Sequence, residues 1–299
     1  MKKGLMLVLL TAIISGVSIF LNAFGVKGIN PYIFTGAKNV LVAVFLFSII
    51  LMFKDFKELK SLKIKDWASL SLIGLIGGSI PFLLFFKGLT MMNPAQGSFV
   101  HKTMVLWVVI LSVVFLKEKL NKQIVFGAIA LLAGNFMLLK LTSFEFSIGT
   151  VLIFVATLFW ATEITLSKYI LKNLSSNIVA FGRMFFGSIF ILLFLGFTNQ
   201  LNLVATLNFT QFGWIAITSV LLLGYVFTFY NGLKHVNAST AVAILSLGSV
   251  ITTLLKLVFL DKMVVPVQII GMALIVSGVL FFSINLEKKL HSNFSTAKP

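Results

Sequence analysis

The sequence contains no cysteine, which excludes disulfide frameworks, thiolate metal sites and cysteine nucleophiles. Charge is also scarce. Only 11% of the residues are charged and only eight are acidic, whereas a soluble domain carries about 25% charged residues. A chain of 299 residues with so few charges cannot cover its surface with water-compatible groups. A soluble globular protein is therefore excluded.

Long apolar stretches take the place of the missing charge. Apolar residues make up 59% of the chain, and the mean hydropathy is +1.08. A bilayer accepts such a chain because a helix satisfies its own backbone polar groups. Ten stretches approach the length of about 20 residues that crosses a bilayer, and they lie at 5–24, 32–53, 67–88, 94–116, 123–140, 148–168, 177–197, 211–233, 238–260 and 264–284. The sequence predicts an all-α polytopic membrane protein with ten transmembrane helices.

The first stretch resembles a signal peptide, because Met1-Lys2-Lys3 precede an apolar run that begins at Leu5. The run continues to Phe24 without a cleavage site of small residues, so we expect an uncleaved first span.

The net charge of +16 raises the question of nucleic acid, but the distribution of the lysines argues against it. The lysines form short runs between apolar stretches instead of one basic face. With the N-terminus inside, sixteen loop lysines lie on the cytoplasmic side and four on the other. The positive-inside rule therefore predicts a protein of the cell membrane with both termini in the cytoplasm and no nucleic-acid partner.

The two halves of the chain repeat each other. The segment Phe85–Leu89 reappears as Phe229–Leu233 at an offset of 144, and the same offset relates Gly127 to Gly271. An offset of 145 relates Lys38 to Arg183. The predicted organisation is a first five-helix repeat at 1–140, a second at 147–284 and a cytoplasmic tail at 285–299. Because each unit has five spans, the second is inverted, an arrangement that places a transporter's substrate near the midplane.

These residues resemble the drug/metabolite transporter superfamily, and within it the EamA-type transporters. The resemblance rests on the five-plus-five repeat, the Gly-Leu turn after the third span and Leu116-Lys117-Glu118 after the fourth. It implies export or import of amino acids, metabolites or related small molecules without a bound cofactor. The chain departs from the family where Val105 and Gly248 stand in place of a proline, and where Lys117 replaces the glycine of Leu-Gly-Glu.

Ionisable residues inside a membrane are costly and mark function by default. Glu163 and Arg183 lie at similar depths in neighbouring spans, so an ion pair is predicted. The pair is either structural or part of gating and coupling, with Glu163 as the candidate proton carrier.

A second group of ionisable residues lies toward the outer side. Lys38, His101 and Lys102 have no acidic residue in the outer halves of the spans, which suits a substrate with an anionic group. In the alternative, Lys38 bonds backbone carbonyls and only holds helices together. Trp160 and Tyr225 are further candidates to line a substrate cavity.

The leading interpretation is a secondary transporter that moves a small metabolite, an amino acid or an organic-anion-like solute, by alternating access. No Walker motif, paired catalytic carboxylates or metal-ligand cluster is present in the sequence, so no catalytic or metal site is expected. The alternatives are a membrane-embedded enzyme and a non-transporting receptor. Glycines seven residues apart, 127 with 134 and 271 with 278, allow close helix packing within one chain or in a homodimer.

Overall fold

The computed structural model describes residues 2–52, 55–141, 144–261 and 263–295, with side chains as far as residue 284. Lys54, Lys262 and Lys298 of the lysine count lie outside these residues. Among the described residues, loops join α-helices, one π-helical segment (Gly74–Ser79) and one 3₁₀ segment (Leu201–Thr206). The α-helices are α1 Lys2–Gly25, α2 Pro31–Met52, α3 Phe56–Ser61, α4 Ile64–Ile73, α5 Ile80–Leu89, α6 Pro94–Lys102, α7 Met104–Leu116, α8 Lys122–Leu138, α9 Ile148–Ile170, α10 Ser176–Phe197, α11 Phe209–His235, α12 Ala238–Leu245, α13 Leu247–Leu260 and α14 Pro266–Ser295.

Within the described residues, nine helical stretches are long and apolar enough to cross a membrane, and α8 adds a shorter one of 17 residues. At about 1.5 Å per residue, α8 reaches the lower limit for a span. The third span joins α4 to α5 through the π-helical segment Gly74–Ser79, and the fourth and ninth join α6 to α7 and α12 to α13. The predicted ten-helix membrane fold is confirmed. α14 continues through 285–295 of the segment expected as a tail.

Hydrogen bonds between loops identify the two ends of the bundle. At one end the Ser175 amide donates to Glu58 Oε1 at 2.7 Å. This end carries the loops at 55–63, 117–121 and 171–175, and we call it the lysine-rich face. At the other end Asn30 Nδ2 donates to Gln200 Oε1 at 2.8 Å. We call that end the lysine-poor face.

The fourth span of each repeat shares two irregularities. The helix is interrupted at Thr103 in the first copy and at Ser246 in the second, close to the positions where Val105 and Gly248 replace a proline. The span then ends on a left-handed residue, Lys117 with φ 58° and its mate Asp261 with φ 49°. The repeat therefore extends from the sequence to the backbone.

The paired glycines pack α8 against α14 within the chain. A Cβ atom on Gly134 would lie 2.7 Å from Gly271 O, and one on Gly127 would lie 3.0 Å from Gly278 O. Only a residue without a Cβ permits this approach of the two backbones. These glycine faces are thus occupied inside one chain and are not free to form a homodimer.

Candidate functional site

Glu163 lies at the centre of a buried polar cluster between the repeats. Its side chain is on α9 and the residue is 2% exposed. Tyr230 of α11 donates its hydroxyl to Glu163 Oε1 at 2.5 Å, and Ser167 donates to the same oxygen at 2.7 Å. Ser167 follows Glu163 by four residues, so the helix itself brings the two side chains together.

Arg183 of α10 completes this cluster. Its Nε atom lies 3.9 Å from Glu163 Oε2, so the structure brings together the two residues of the predicted ion pair. The guanidinium also donates from Nη2 to the carbonyl oxygen of Gly77 at 3.1 Å. Arg183 therefore connects the carboxylate of the second repeat to the third span of the first.

The π-helical turn of the third span supplies the acceptors for these contacts. A π turn displaces the regular i−4 hydrogen bonds and often occurs at functional sites. Gly77 O accepts from Arg183 and, at 3.1 Å, from Trp160 Nε1, while Gly78 O accepts from Asn39 Nδ2 at 2.9 Å. Pro81 lies in the first turn of α5, so the irregular turn precedes the proline of this span.

Glycine is required at this turn by close approach. A Cβ atom at Gly77 would lie 2.3 Å from Glu163 Cγ, and one at Gly78 would lie 2.5 Å from Arg183 O. Real Cβ atoms do not approach other heavy atoms so closely. The Gly77-Gly78 pair is therefore what allows the first repeat to touch the buried charges of the second.

Lys38 has different partners from Arg183, although the two are equivalent in the repeat. It is 7% exposed, and its Nζ donates to Asn22 Oδ1 of α1 at 2.9 Å. The ammonium also lies 4.7 Å from the centroid of the Phe34 ring. Lys38 thus binds a side-chain amide and an aromatic face instead of the backbone carbonyls of the structural alternative.

His101 and Lys102 end α6 and are both half-buried. The His101 ring lies 4.8 Å from the Trp160 ring and 5.5 Å from the Phe85 ring, and its Nδ1 atom is buried without a hydrogen-bond partner among the described residues. Within the same residues, the Lys102 ammonium makes neither an ion pair nor a hydrogen bond. His101 therefore packs with the rings of Trp160 and Phe85, and Lys102 has no counter-charge in the described part of the chain.

The predicted site residues thus fall into separate groups. Trp160 joins two of them, because its ring contacts His101 and its indole N–H donates to Gly77 O. Tyr225 is half-buried and stacks on Phe229 at 5.8 Å between ring centroids. Lys38 contacts Asn22 and Phe34, whereas the ring neighbours of His101 are Phe85 and Trp160.

The residues that hold the ion pair and Lys38 in place were not predicted from the sequence. They are Tyr230, Ser167 and Gly77 around the ion pair and Asn22 beside Lys38. The i+4 spacing of Ser167 from Glu163 is a local signal that could have found it. The other contacts join distant spans and leave no local pattern.

Equivalent short helices of the two repeats differ in burial. All eight residues of α12 are buried near the lysine-rich face, but only three of the nine residues of α6 are buried near the lysine-poor face. α12 packs against α7 of the other repeat, whereas α6 makes no comparable packing against α13, both helices being fully described. Toward the lysine-poor face α6 packs against α9 instead, and Gln96 Nε2 donates to Glu145 O at 2.5 Å. The bundle is therefore closed between α12 and α7 at the lysine-rich face and looser between α6 and α13 at the other.

This architecture defines an integral membrane protein of the small-solute transporter class. The model of the EamA-like transporter family matches residues 2–140 and 147–284, and the chain belongs to that family. Its members are membrane transporters of small solutes.

Known proteins are similar to the chain, and two of them show the extent of the likeness. Protein LicB of Haemophilus influenzae is 25% identical over 158 residues, which are 52% of this chain and 53% of that protein, so the chain spans about half the length of this relative. A protein of known crystal structure is 19% identical and superimposes with a TM-score of 0.75 over 95% of this chain and 97% of its own. That likeness shows the fold.

Proposed function

We propose that the chain is a secondary transporter of the cell membrane that moves a small metabolite with an anionic group, such as an amino acid or an organic anion. The lysine-rich face is proposed to be cytoplasmic, since the positive-inside rule assigns lysine-rich loops to that side. The two family matches support residues 1–140 and 147–284 as its repeat units.

The surroundings of Lys102 are the observation that supports an anionic substrate. Lys102 is half-buried in the looser half of the bundle, and no carboxylate among the described residues lies within ion-pair distance. A charge that is withdrawn from water needs a partner. A carboxylate or phosphate on the substrate supplies that partner, while His101 and Trp160 offer a flat wall beside it.

Alternating access is supported by the difference between α6 and α12. In a transporter with inverted repeats, each repeat can adopt the conformation of the other. A bundle that is closed at one end and loose at the other therefore has a second state in which the first end is loose and the second is closed. The closed α12 and the open α6 correspond to a state that faces the lysine-poor side. Substrate then enters there and reaches Lys102.

For the pair of Glu163 and Arg183 we propose a structural role as a clamp on the Gly77 carbonyl. Both side chains are buried, and their contacts join α9, α10, α11 and the third span. Proton carriage by Glu163 is the second candidate, because it is a buried carboxylate at the repeat interface. Flux that follows an imposed pH gradient, and loses that dependence in Glu163→Gln, would support carriage over the clamp.

The experiment is a thermal-stabilisation screen of the purified protein with anionic, zwitterionic and cationic metabolites. Anionic compounds are expected to raise the unfolding temperature, and Lys102→Gln to abolish that rise. Lys87→Gln is the matched control, since Lys87 is exposed and lies toward the same face. Stabilisation by cations, or an anion effect that survives Lys102→Gln, would overturn the proposal.

A further inference from the structure

We infer that Glu118 latches the lysine-rich end of the pathway shut, and that the second repeat has no equivalent latch, so the resting protein opens toward the lysine-poor face. This inference rests on the proposed alternating access and names the residue that biases it.

The end of α7 aims Glu118 at the other repeat. Lys117 adopts a left-handed conformation, and the Glu118 amide donates back to Ser112 O at 3.1 Å, so the chain turns sharply there. The Glu118 carboxylate then meets the beginning of α12. Its Oε1 accepts from the Ala238 amide at 2.7 Å, and its Oε2 accepts from the Ser239 hydroxyl.

This contact stabilises α12 in its position against α7. The first amides of a helix lack partners within the helix, and the helix dipole favours negative charge at that end. Asn237 precedes α12 but makes no capping hydrogen bond with its side chain. Glu118 therefore supplies, from the opposite repeat, the cap that α12 does not supply for itself.

The equivalent helix α6 is capped in a different way. Asn93, the repeat mate of Asn237, accepts from the Ala95 amide at 2.9 Å with its own side chain. The cap of α6 is thus local and remains intact when α6 moves away from the second repeat. The cap of α12 breaks when α12 leaves α7.

Two sequence differences remove the counterpart of the latch. The offset of 144 places Lys262 at the position of Glu118, and Pro94 at the position of Ala238. Lys262 lies outside the described residues, but an ammonium cannot accept hydrogen bonds and is disfavoured at a helix N-terminus. Proline has no amide hydrogen to donate. The position equivalent to Glu118 therefore lacks the acceptor of this contact, and the position equivalent to Ala238 lacks its first donor.

The chain is suited to a labelling test because it has no native cysteine. One reporter, Ala243→Cys, is in the buried helix α12, and a second, Ser98→Cys, is in the half-buried helix α6. Each reporter is combined separately with Glu118→Ala and Glu118→Gln in the full-length purified protein. The rate of modification by a small methanethiosulfonate reagent measures how often each end opens.

The latch predicts opposite changes at the two ends. Since loss of a helix cap shifts an equilibrium by roughly tenfold, Glu118→Ala should raise labelling at Ala243→Cys by about that factor and lower it at Ser98→Cys. Glu118→Gln, which keeps one acceptor oxygen, should lie between. Asp66→Ala is the matched control, because Asp66 caps only its own helix by accepting from the Lys63 amide at 2.8 Å.

Unchanged labelling in Glu118→Ala, or an increase at both reporters together, would overturn the latch. The double variant Lys262→Glu with Pro94→Ala provides an independent check, since the two changes together place the missing acceptor and donor at the lysine-poor end and should slow labelling of Ser98→Cys. These rates are measured without substrate. If labelling does not change but anions still stabilise the protein, the latch is wrong and the proposed function stands. If anions do not stabilise the protein but labelling changes in opposite directions at the two reporters, the proposed substrate is wrong and the latch stands.

Discussion

Lys38 and Arg183 occupy equivalent places in the two repeats, yet their surroundings differ. Arg183 lies 3.9 Å from a carboxylate and donates to a backbone carbonyl of the other repeat. Lys38 has a neutral amide oxygen at 2.9 Å and an aromatic face at 4.7 Å. The second repeat thus neutralises its buried cation and uses it to hold the halves together. The first repeat keeps positive charge at Lys38 and Lys102, neither of which has a carboxylate partner among the described residues. The proposed anionic substrate would provide that partner.

Removing one charge from each repeat tests whether the two buried cations differ in this way. Glu163→Gln leaves Arg183 buried without its counter-charge, which should destabilise the protein by about 3–5 kcal/mol. Lys38→Met removes a cation that has no acidic partner among the described residues and should cost only about 1 kcal/mol. Thermal unfolding in detergent measures both, and the double variant Glu163→Gln with Arg183→Met should recover part of the loss. Equal losses in the two single variants would contradict the comparison.

A methyl group at the π turn tests whether the clamp depends on close approach. Gly77→Ala places a Cβ 2.3 Å from Glu163 Cγ, and such overpacking should cost about 3 kcal/mol. Gly213→Ala is the control, because a Cβ there has no neighbour within 4 Å and alanine favours the helix. If both variants unfold at the parent temperature, the close contact between the repeats is wrong.

The surroundings of Lys38 are tested by removing its amide partner. Asn22→Ala leaves a buried ammonium without its acceptor, and a hydrogen bond to a charged group is worth about 2 kcal/mol. Asn231→Ala is the matched change, since Asn231 donates only to Phe227 O of its own helix. The unfolding temperature should fall further in Asn22→Ala. A larger fall in Asn231→Ala would mean that Lys38 does not rely on Asn22.

The smallest effect is expected at the left-handed residue that ends α7. Lys117 has φ 58°, a conformation that costs a residue with a side chain about 1 kcal/mol and that glycine adopts freely. Lys117→Gly should therefore stabilise the protein slightly and keep the Glu118 contact. Lys119→Gly, in the same exposed loop without a left-handed φ, should not. Stabilisation by both changes would point to lost positive charge as the cause.

Most of the fold could be predicted from the sequence because each level of it leaves a local signal. Apolar runs of bilayer length predict spans, and the offset of 144 predicts inverted repeats. Equal depth in adjacent spans was enough to pair Glu163 with Arg183. The interruptions at Thr103 and Ser246 were not predicted, since proline is the usual signal for a broken helix and neither position has one.

The partners of the buried charges could not be predicted, because they depend on how spans rotate against one another. Tyr230 reaches Glu163 across 67 residues of sequence, and Arg183 reaches Gly77 across 106. The sequence suggested either an anionic substrate or backbone carbonyls as the partner of Lys38, and its observed partner, the side-chain amide of Asn22, is neither. The role of Glu118 was likewise hidden, since its acceptor atoms meet Ala238 only in the folded bundle.

We propose that the chain carries a small anionic solute across a membrane by way of Lys102. The direct measurement is counterflow of a stabilising anion into proteoliposomes that hold the purified protein and the same unlabelled solute. We expect uptake by the parent and by Lys87→Gln, and none by Lys102→Gln. Binding without uptake, chemical conversion of the solute, or full uptake by Lys102→Gln would contradict it.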